Sequence, residues 1–231
     1  MSLPLRVCVV VFGSLVAVGP VDAGPVIGKL DLPKEVPMRE ASATKGFLDR
    51  VENPLAPPRP VAVTPYLVVV LEQAEGAQKG TAPGQVVWEL VGESFARPVV
   101  IAPIGAEVLI KNVSKTARTL VALEDAGLVP SGPINPTGPK SFRIAEAKVY
   151  TIADKDAAHL RGTIVGVTSP YVATVDETGK FEIADVPEGN YKLRIFYKTD
   201  WLEGTTDVAV SGKGKTEVAP KVPALNAPKK K

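Results

Sequence analysis

Cysteine and histidine are almost absent from this 231-residue chain: Cys8 and His159 stand alone, with only two methionines beside them. Cys8 lies in the opening apolar stretch, so the chain after it has no disulfide, no thiolate nucleophile and no sulfur-rich metal centre. Such a chain is held by core burial alone, and about two hundred residues suffice for one or two domains of that kind. A single imidazole rules out a poly-histidine metal site. Net charge is small as well. The formal net charge is +2, far from the dense basic face that a nucleic-acid binder presents. After the N-terminus no apolar run approaches the roughly 20 residues of a transmembrane helix. Helical patterning is sparse too, and Met38 to Val51 is the one stretch that suggests a helical turn or two.

The N-terminus itself is informative. Arg6 precedes an apolar run from Val7 to Gly19 broken only by Ser14, and Pro20 with the small-residue pattern Val21-Asp22-Ala23 follows. This order reads as a secretory signal peptide over residues 1–23 with cleavage after Ala23, and it predicts a periplasmic or secreted product. Removing Arg6 and Asp22 takes away one charge of each sign, so the exported chain keeps its weak positive balance. At the other end, Pro220 to Lys231 (PKVPALNAPKKK) reads as a disordered basic tail, suited to contact with an anionic envelope surface.

Between these ends the pattern is that of strands. From Ser169 to Tyr197 apolar residues recur at period two (Val172, Thr174, Phe181, Ile183, Tyr191, Leu193, Ile195), which places them on one face of pleated strands. Asp176-Glu177-Thr178-Gly179 supplies a glycine where a tight turn needs positive φ, and Pro187-Glu188-Gly189-Asn190 supplies a second turn. The stretch is therefore expected to be a β-meander with its aromatics in the core and Lys192, Arg194 and Lys198 on a solvated face. The 22 prolines and 20 glycines show no period. They punctuate further strand candidates at Val26 to Leu32, Tyr66 to Gln73, Val86 to Val91, Val99 to Ile101, Glu107 to Lys111, Thr119 to Leu123, Lys140 to Ile144, Lys148 to Ile152 and Gly162 to Val167. Asn53 to Pro65 reads as extended and polyproline-like, and Glu75 to Gly84 as a flexible connection.

Residues 85–168 resemble a plastocyanin-type cupredoxin domain, in the variety found in exported bacterial methylamine-utilisation-type proteins. The resemblance is carried by Phe95-Ala96-Arg97-Pro98 before Val99-Val100-Ile101, by Gly105-Ala106-Glu107-Val108 leading to Ile110-Lys111-Asn112, and by Arg161-Gly162-Thr163-Ile164-Val165-Gly166-Val167. It implies a Greek-key sandwich. It also implies a blue-copper site, whose two imidazoles, thiolate and thioether would fall near Arg118, Ala157, Asp154 and Leu160. None of these can serve a trigonal copper-thiolate centre, so the expectation is a cupredoxin-like domain without copper ligands. The same loop offers Asp154, Asp156 and His159 as weak candidates for a different divalent metal. A Ser-His-Asp hydrolase would have to use His159 as its base, without an elbow or oxyanion signature nearby.

Residues 169–219 resemble a carboxypeptidase regulatory-like, or transthyretin-like (prealbumin-like), β-sandwich through Thr174 to Phe181 and Val186 to Leu193. That family usually has two preceding strands, and Val26 to Leu30 with Leu67 to Leu71 could supply them from within residues 24–84. The middle domain would then be an insertion; the alternative is two consecutive domains meeting near Thr168. Insertion is thermodynamically feasible because loop closure costs only about 0.6 kcal/mol per doubling of length. The fold expected is all-β. The function expected is a non-catalytic exported envelope protein with a binding or structural role, without cofactor or catalytic residue, whose partner is an unidentified protein or envelope component. A redox or metal-binding protein with an atypical site is the alternative, and a hydrolase the third.

Overall fold

The computed structural model describes residues 23–32, 62–73, 84–212, 214–223 and 225. The leader before Ala23, the helical turns expected in Met38 to Val51 and the lysine-rich end fall outside those residues. The N-terminal portion contributes β1 (Ala23–Lys29) and β2 (Leu67–Gln73). The middle contributes β3 (Gln85–Val91), β4 (Ser94–Phe95), β5 (Val99–Pro103), β6 (Glu107–Asn112), β7 (Leu120–Ala122), β8 (Pro139–Arg143), β9 (Val149–Asp154) and β10 (Arg161–Val167). The C-terminal portion holds β11 (Val172–Thr174), β12 (Lys180–Pro187), β13 (Gly189–Tyr197), β14 (Asp200–Trp201), β15 (Thr206–Val210) and β16 (Thr216–Val218). A single 3-10 turn at Thr64–Tyr66 leads into β2 and ends the extended reading of that linker two residues early.

These strands form four sheets stacked as four layers. The outermost has the order β12-β1-β16, and the next has β11-β2-β13-β14 with β15 also paired to β13. The third has the order β5-β10-β9-β7 and the fourth β4-β3-β6-β8. Parallel pairing of β5 with β10 and of β3 with β6 shows that the chain crosses between the third and fourth layers instead of turning back on itself. The first two layers enclose one core, including Val26, Leu67, Val69, Leu71, Phe181, Ile183, Tyr191, Leu193 and Ile195. The last two enclose another, including Trp88, Leu90, Val100, Ile110, Tyr150, Ile152 and Ile164. Between these lies a third apolar cluster, with Val68, Val70 and Phe196 from the second layer against Val99, Ile101, Val165 and Val167 from the third.

This stacking explains the composition of the inner strands. Because successive side chains point to opposite faces, β2 sends Leu67, Val69 and Leu71 one way and Val68 and Val70 the other, and all five are buried. β5 divides in the same manner, with Val99 and Ile101 facing the second layer and Val100 and Ala102 the fourth. A strand covered on both faces is apolar throughout instead of alternating. The runs Leu67-Val68-Val69-Val70-Leu71 and Val99-Val100-Ile101-Ala102 are the sequence record of that double cover.

Four expectations need correction. The stretch from Ser169 to Tyr197 is not a meander: β11 pairs with β2, β12 with β1, and β13 with β2 and β15, so consecutive strands go to different layers. Upstream strands supply the pairing partners, which leaves the turns at Gly179 and at Pro187–Gly189 as corners between layers. Next, the inward phase of β11 is Tyr171, Ala173 and Val175, while Val172 packs toward the third layer. Further, the face of β13 that carries Lys192 and Arg194 also carries Phe196, which is fully buried against the third layer. It is a junction face, with charges only at its margin. Last, the C-terminal tail is ordered at its start. Asp31 and Lys221 form a parallel bridge, the Val222 amide donates to the Asp31 carbonyl at 3.1 Å, and Val222 is 7% exposed within the first core.

The central strand β1 contains Pro25, which has no N–H to give to a ladder. A β-bulge accommodates it: Gly24 pairs with Val186 and Val26 with Ile183, and Asp185 on the longer side takes φ 53°.

Candidate functional site

The middle sandwich presents three loops at one end: the β3–β4 tip with Glu93, the β6–β7 connection, and the β9–β10 connection. The β6–β7 loop is latched by Asn112, 1% exposed. Its Nδ2 donates to the Thr116 and Ile134 carbonyls at 2.8 and 2.9 Å, and its Oδ1 accepts from Ser114 N and Oγ at 3.0 and 2.6 Å. A buried amide that satisfies both of its ends rigidifies the turn around it. The latch fixes Arg118, whose backbone exchanges two hydrogen bonds with Ile134. The Arg118 guanidinium is directed to Glu93, with Nη2 3.7 Å from Oε1, and its side chain is only 10% exposed. The other oxygen of Glu93 lies 3.4 Å from His159 Nε2. One carboxylate thus bridges the arginine and the sole imidazole of the chain.

Asp154 ends β9 and is 4% exposed. Its Oδ1 accepts from the Asp156 and Ala157 amides at 2.8 and 3.0 Å, a capping turn closed by backbone bonds from Asp154 N to Leu160 O and from Leu160 N to Ala157 O. Its Oδ2 is buried and has no hydrogen-bond partner. Asp156 and His159 are exposed. The three metal candidates are therefore not brought together: Asp154 turns inward to hold its own loop, and His159 turns outward to Glu93. Among the described residues no group of three metal-ligating side chains is assembled. Of the four positions that the cupredoxin resemblance singles out, Arg118 pairs with Glu93, Asp154 caps the loop, Ala157 packs at the margin of the core and Leu160 is fully buried in it.

Sequence reasoning did not reach the junction between the second and third layers. Arg97 donates from Nη2 to the Val175 carbonyl at 2.7 Å across that junction, and Trp88 Nε1 donates to the Arg97 carbonyl at 2.8 Å. Burial holds the Arg97 guanidinium below its usual pKa range, since desolvation disfavours the charged form. Ser169 Oγ donates to the Leu71 carbonyl, and Arg194 both pairs with Glu72 at 2.6 Å and lies 4.4 Å above the Trp201 ring. Glu72, Thr168, Arg194 and Trp201 line a junction crevice of about 160 Å³. A larger cavity of about 370 Å³ opens at the end of the outer sandwich, with Leu193, Ile195 and Leu202 below and Glu203 and Lys221 at its mouth. Two unbroken apolar strands in one chain were the signal available for the junction. Glu93 had none, because only the fold brings it to Arg118 and His159.

Among the described residues no helix is long and apolar enough to cross a membrane. No family model matches the chain, and no curated protein does. Solved structures similar to it include a reduced amicyanin variant and an oxidised one, at 16% and 17% identity, each with a TM-score of 0.33 over 43% of this chain and 98% of the other. A plastocyanin of fern aligns at 16% identity with a TM-score of 0.31, over 36% of this chain and all of its own.

Proposed function

We propose that this is a non-catalytic exported envelope protein with a binding or structural role, in which a copper-free cupredoxin-like module is inserted into a transthyretin-like sandwich. The observation that carries the reading is the inward turn of Asp154. Where the resemblance puts a thiolate, this carboxylate accepts two amide hydrogen bonds from its own loop, and Leu160, at the thioether position, belongs to the apolar core. A cupric thiolate centre needs soft sulfur and two imidazoles around one point, and this end holds a loop cap, an alanine, a leucine and an arginine instead. A hydrolytic role has as little support, because His159 faces Glu93 at the surface and no hydroxyl or thiol nucleophile is seen hydrogen-bonded to it among the described residues. The continuous apolar junction favours a rigid two-sandwich body, and the lysine-rich end supplies contact with an anionic surface.

Titration of the purified protein with Cu(II) tests the reading, and the expected result is a colourless solution. An intense visible copper-thiolate band, or stoichiometric copper in protein produced without added metal, would overturn it. Metal analysis of the same preparation addresses an atypical site built on His159 and Glu93. Capture from envelope extract, compared with an Arg97→Ala variant as a stability control, then seeks the partner.

A further inference from the structure

The fourth layer buries one face against the third and turns the other to solvent. Because side chains alternate along a strand, β3 sends Val86, Trp88 and Leu90 inward and Gln85, Val87, Glu89 and Val91 outward. β6 does the same, with Glu107, Leu109 and Lys111 outward. Val113 continues that outward series one residue past β6, its amide donating to the Leu90 carbonyl at 2.9 Å. The parallel register sets these residues in level rows: Gln85 beside Glu107, Val87 beside Leu109, and Glu89 beside Lys111. Val91 and Val113 form the next row. Val87, Val91 and Val113 are 46%, 49% and 55% exposed, which gathers onto this face three of the five large apolar side chains that the described residues leave to solvent. Glu107 accepts from Gln85 Nε2 at 3.0 Å, whereas among the described residues neither Glu89 nor Lys111 is in an ion pair.

We propose that this face is the interface of a symmetric dimer, in which two copies pack sheet to sheet about a two-fold axis running near the strand direction between β3 and β6. Such an axis lays β3 of one copy over β6 of the other, as in aligned packing of two sheets. Val87 then meets the partner's Leu109, Val91 the partner's Val113 and Glu89 the partner's Lys111, and the symmetry makes each contact twice. Apolar rows meet apolar rows, and each charge meets its opposite. Axes across the strands fail this match. One along the charged row sets Glu89 on the partner's Glu89, and one along the Val87–Leu109 row carries Val91 past the start of the partner's β3. Opposite charges across a contact fix its register, and like charges block it. Four rows about 7 Å apart, with the flanking strands, cover roughly 20 by 20 Å, or about 400 Å² per copy. That is about half of a standard interface, so the dimer is weak and reversible.

The proposal does not rest on the exported reading above. Sedimentation equilibrium of the purified protein from about 1 μM to 1 mM tests it, and the expected result is monomer at the dilute end, dimer at the concentrated end and a Kd of about 0.1 mM. Lys111→Glu and Glu89→Lys each oppose like charges, so each variant alone should dimerise at least about tenfold more weakly. Both side chains are exposed, so the fold is kept. An equimolar mixture of the two variants should associate as tightly as the unaltered protein, because each glutamate of one then faces a lysine of the other. Such rescue cannot arise within one chain. Leu123→Ser, beside β7 in the third layer and 58% exposed, is the control and should change nothing. A protein that stays monomeric throughout that range, single variants without effect, a mixture that associates no better than its parts, or a dimer weakened by Leu123→Ser would each overturn the proposal.

Discussion

Deleting the residues before Gln85 would remove β1 and β2, and the structure sets the size of the effect. Those strands and the turn beside them contribute eight buried apolar side chains: Val26, Leu30, Val63, Leu67, Val68, Val69, Val70 and Leu71. At roughly 1.5–3 kcal/mol for each buried side chain the loss is about 12–24 kcal/mol. The whole stability of a domain is about 5–15 kcal/mol, so the outer sandwich cannot survive the deletion. The core of the middle sandwich includes none of the eight and should persist, but with Val99, Ile101, Val165 and Val167 uncovered on its outer face. A chain beginning at Gln85 is therefore expected to keep a folded middle sandwich and to self-associate through this patch. The two tryptophans allow each half to be followed, since Trp88 lies in the middle core and Trp201 on β14 in the outer sandwich. The assay is thermal and urea unfolding by fluorescence, with Trp201→Phe versions to separate the two signals, beside sedimentation of both lengths. A shortened chain that stays monomeric, melts like its parent and keeps Trp201 in an apolar environment would refute the reasoning.

Other perturbations address single contacts. Gly179 has φ 83° at the corner between β11 and β12, and Gly179→Val should cost about 1–3 kcal/mol in urea denaturation, with Gly179→Asn costing less, because asparagine tolerates that region; equal losses would mean that the strain account is wrong. Phe196→Ala should cost about 3–5 kcal/mol by opening the junction cluster, and a loss below about 1 kcal/mol would show that the two inner layers do not depend on it. Burial and the neighbouring Tyr171 push the Tyr191 phenol up to about 12. The folded state therefore holds that proton more tightly than the unfolded chain, so its contribution is complete below about pH 10 and is lost as pH rises toward 12. Tyr191→Phe removes the 3.0 Å bond to the Pro187 carbonyl and should cost about 1 kcal/mol at neutral pH, while making the alkaline fall in the urea midpoint shallower; an unchanged slope would contradict the linkage.

Strand positions were legible because a pleated strand imposes period two on side chains whatever lies around it. All nine candidates from Val26 to Val167 contain strand, with ends displaced by at most three residues. Turn chemistry was legible for the same local reason: Asp176 Oδ1 accepts from the Thr178 and Lys180 amides at 2.8 Å, and Gly179 takes the left-handed conformation that the motif requires. Pairing was not legible in the local pattern, and only the resemblance to a family with two preceding strands pointed to Val26 to Leu30 and Leu67 to Leu71. Nothing within Ser169 to Tyr197 shows that β12 pairs with a strand more than 150 residues upstream, because hydrogen-bonding edges are alike in every strand. A hairpin reading was the local default and tertiary packing overrode it.

The sequence by itself determined the all-β character and the strand and corner positions, since each depends on residue type and short-range spacing. Tertiary structure alone decided which strands pair, that the two inner sheets bury both faces, that Asp154 turns inward while His159 meets Glu93, and that Arg97 crosses the junction. Those outcomes depend on contacts between residues far apart in the chain. Local patterning constrains such contacts only to an apolar face in search of another, and the fold selects the partner that buries most surface without stranding a backbone hydrogen bond.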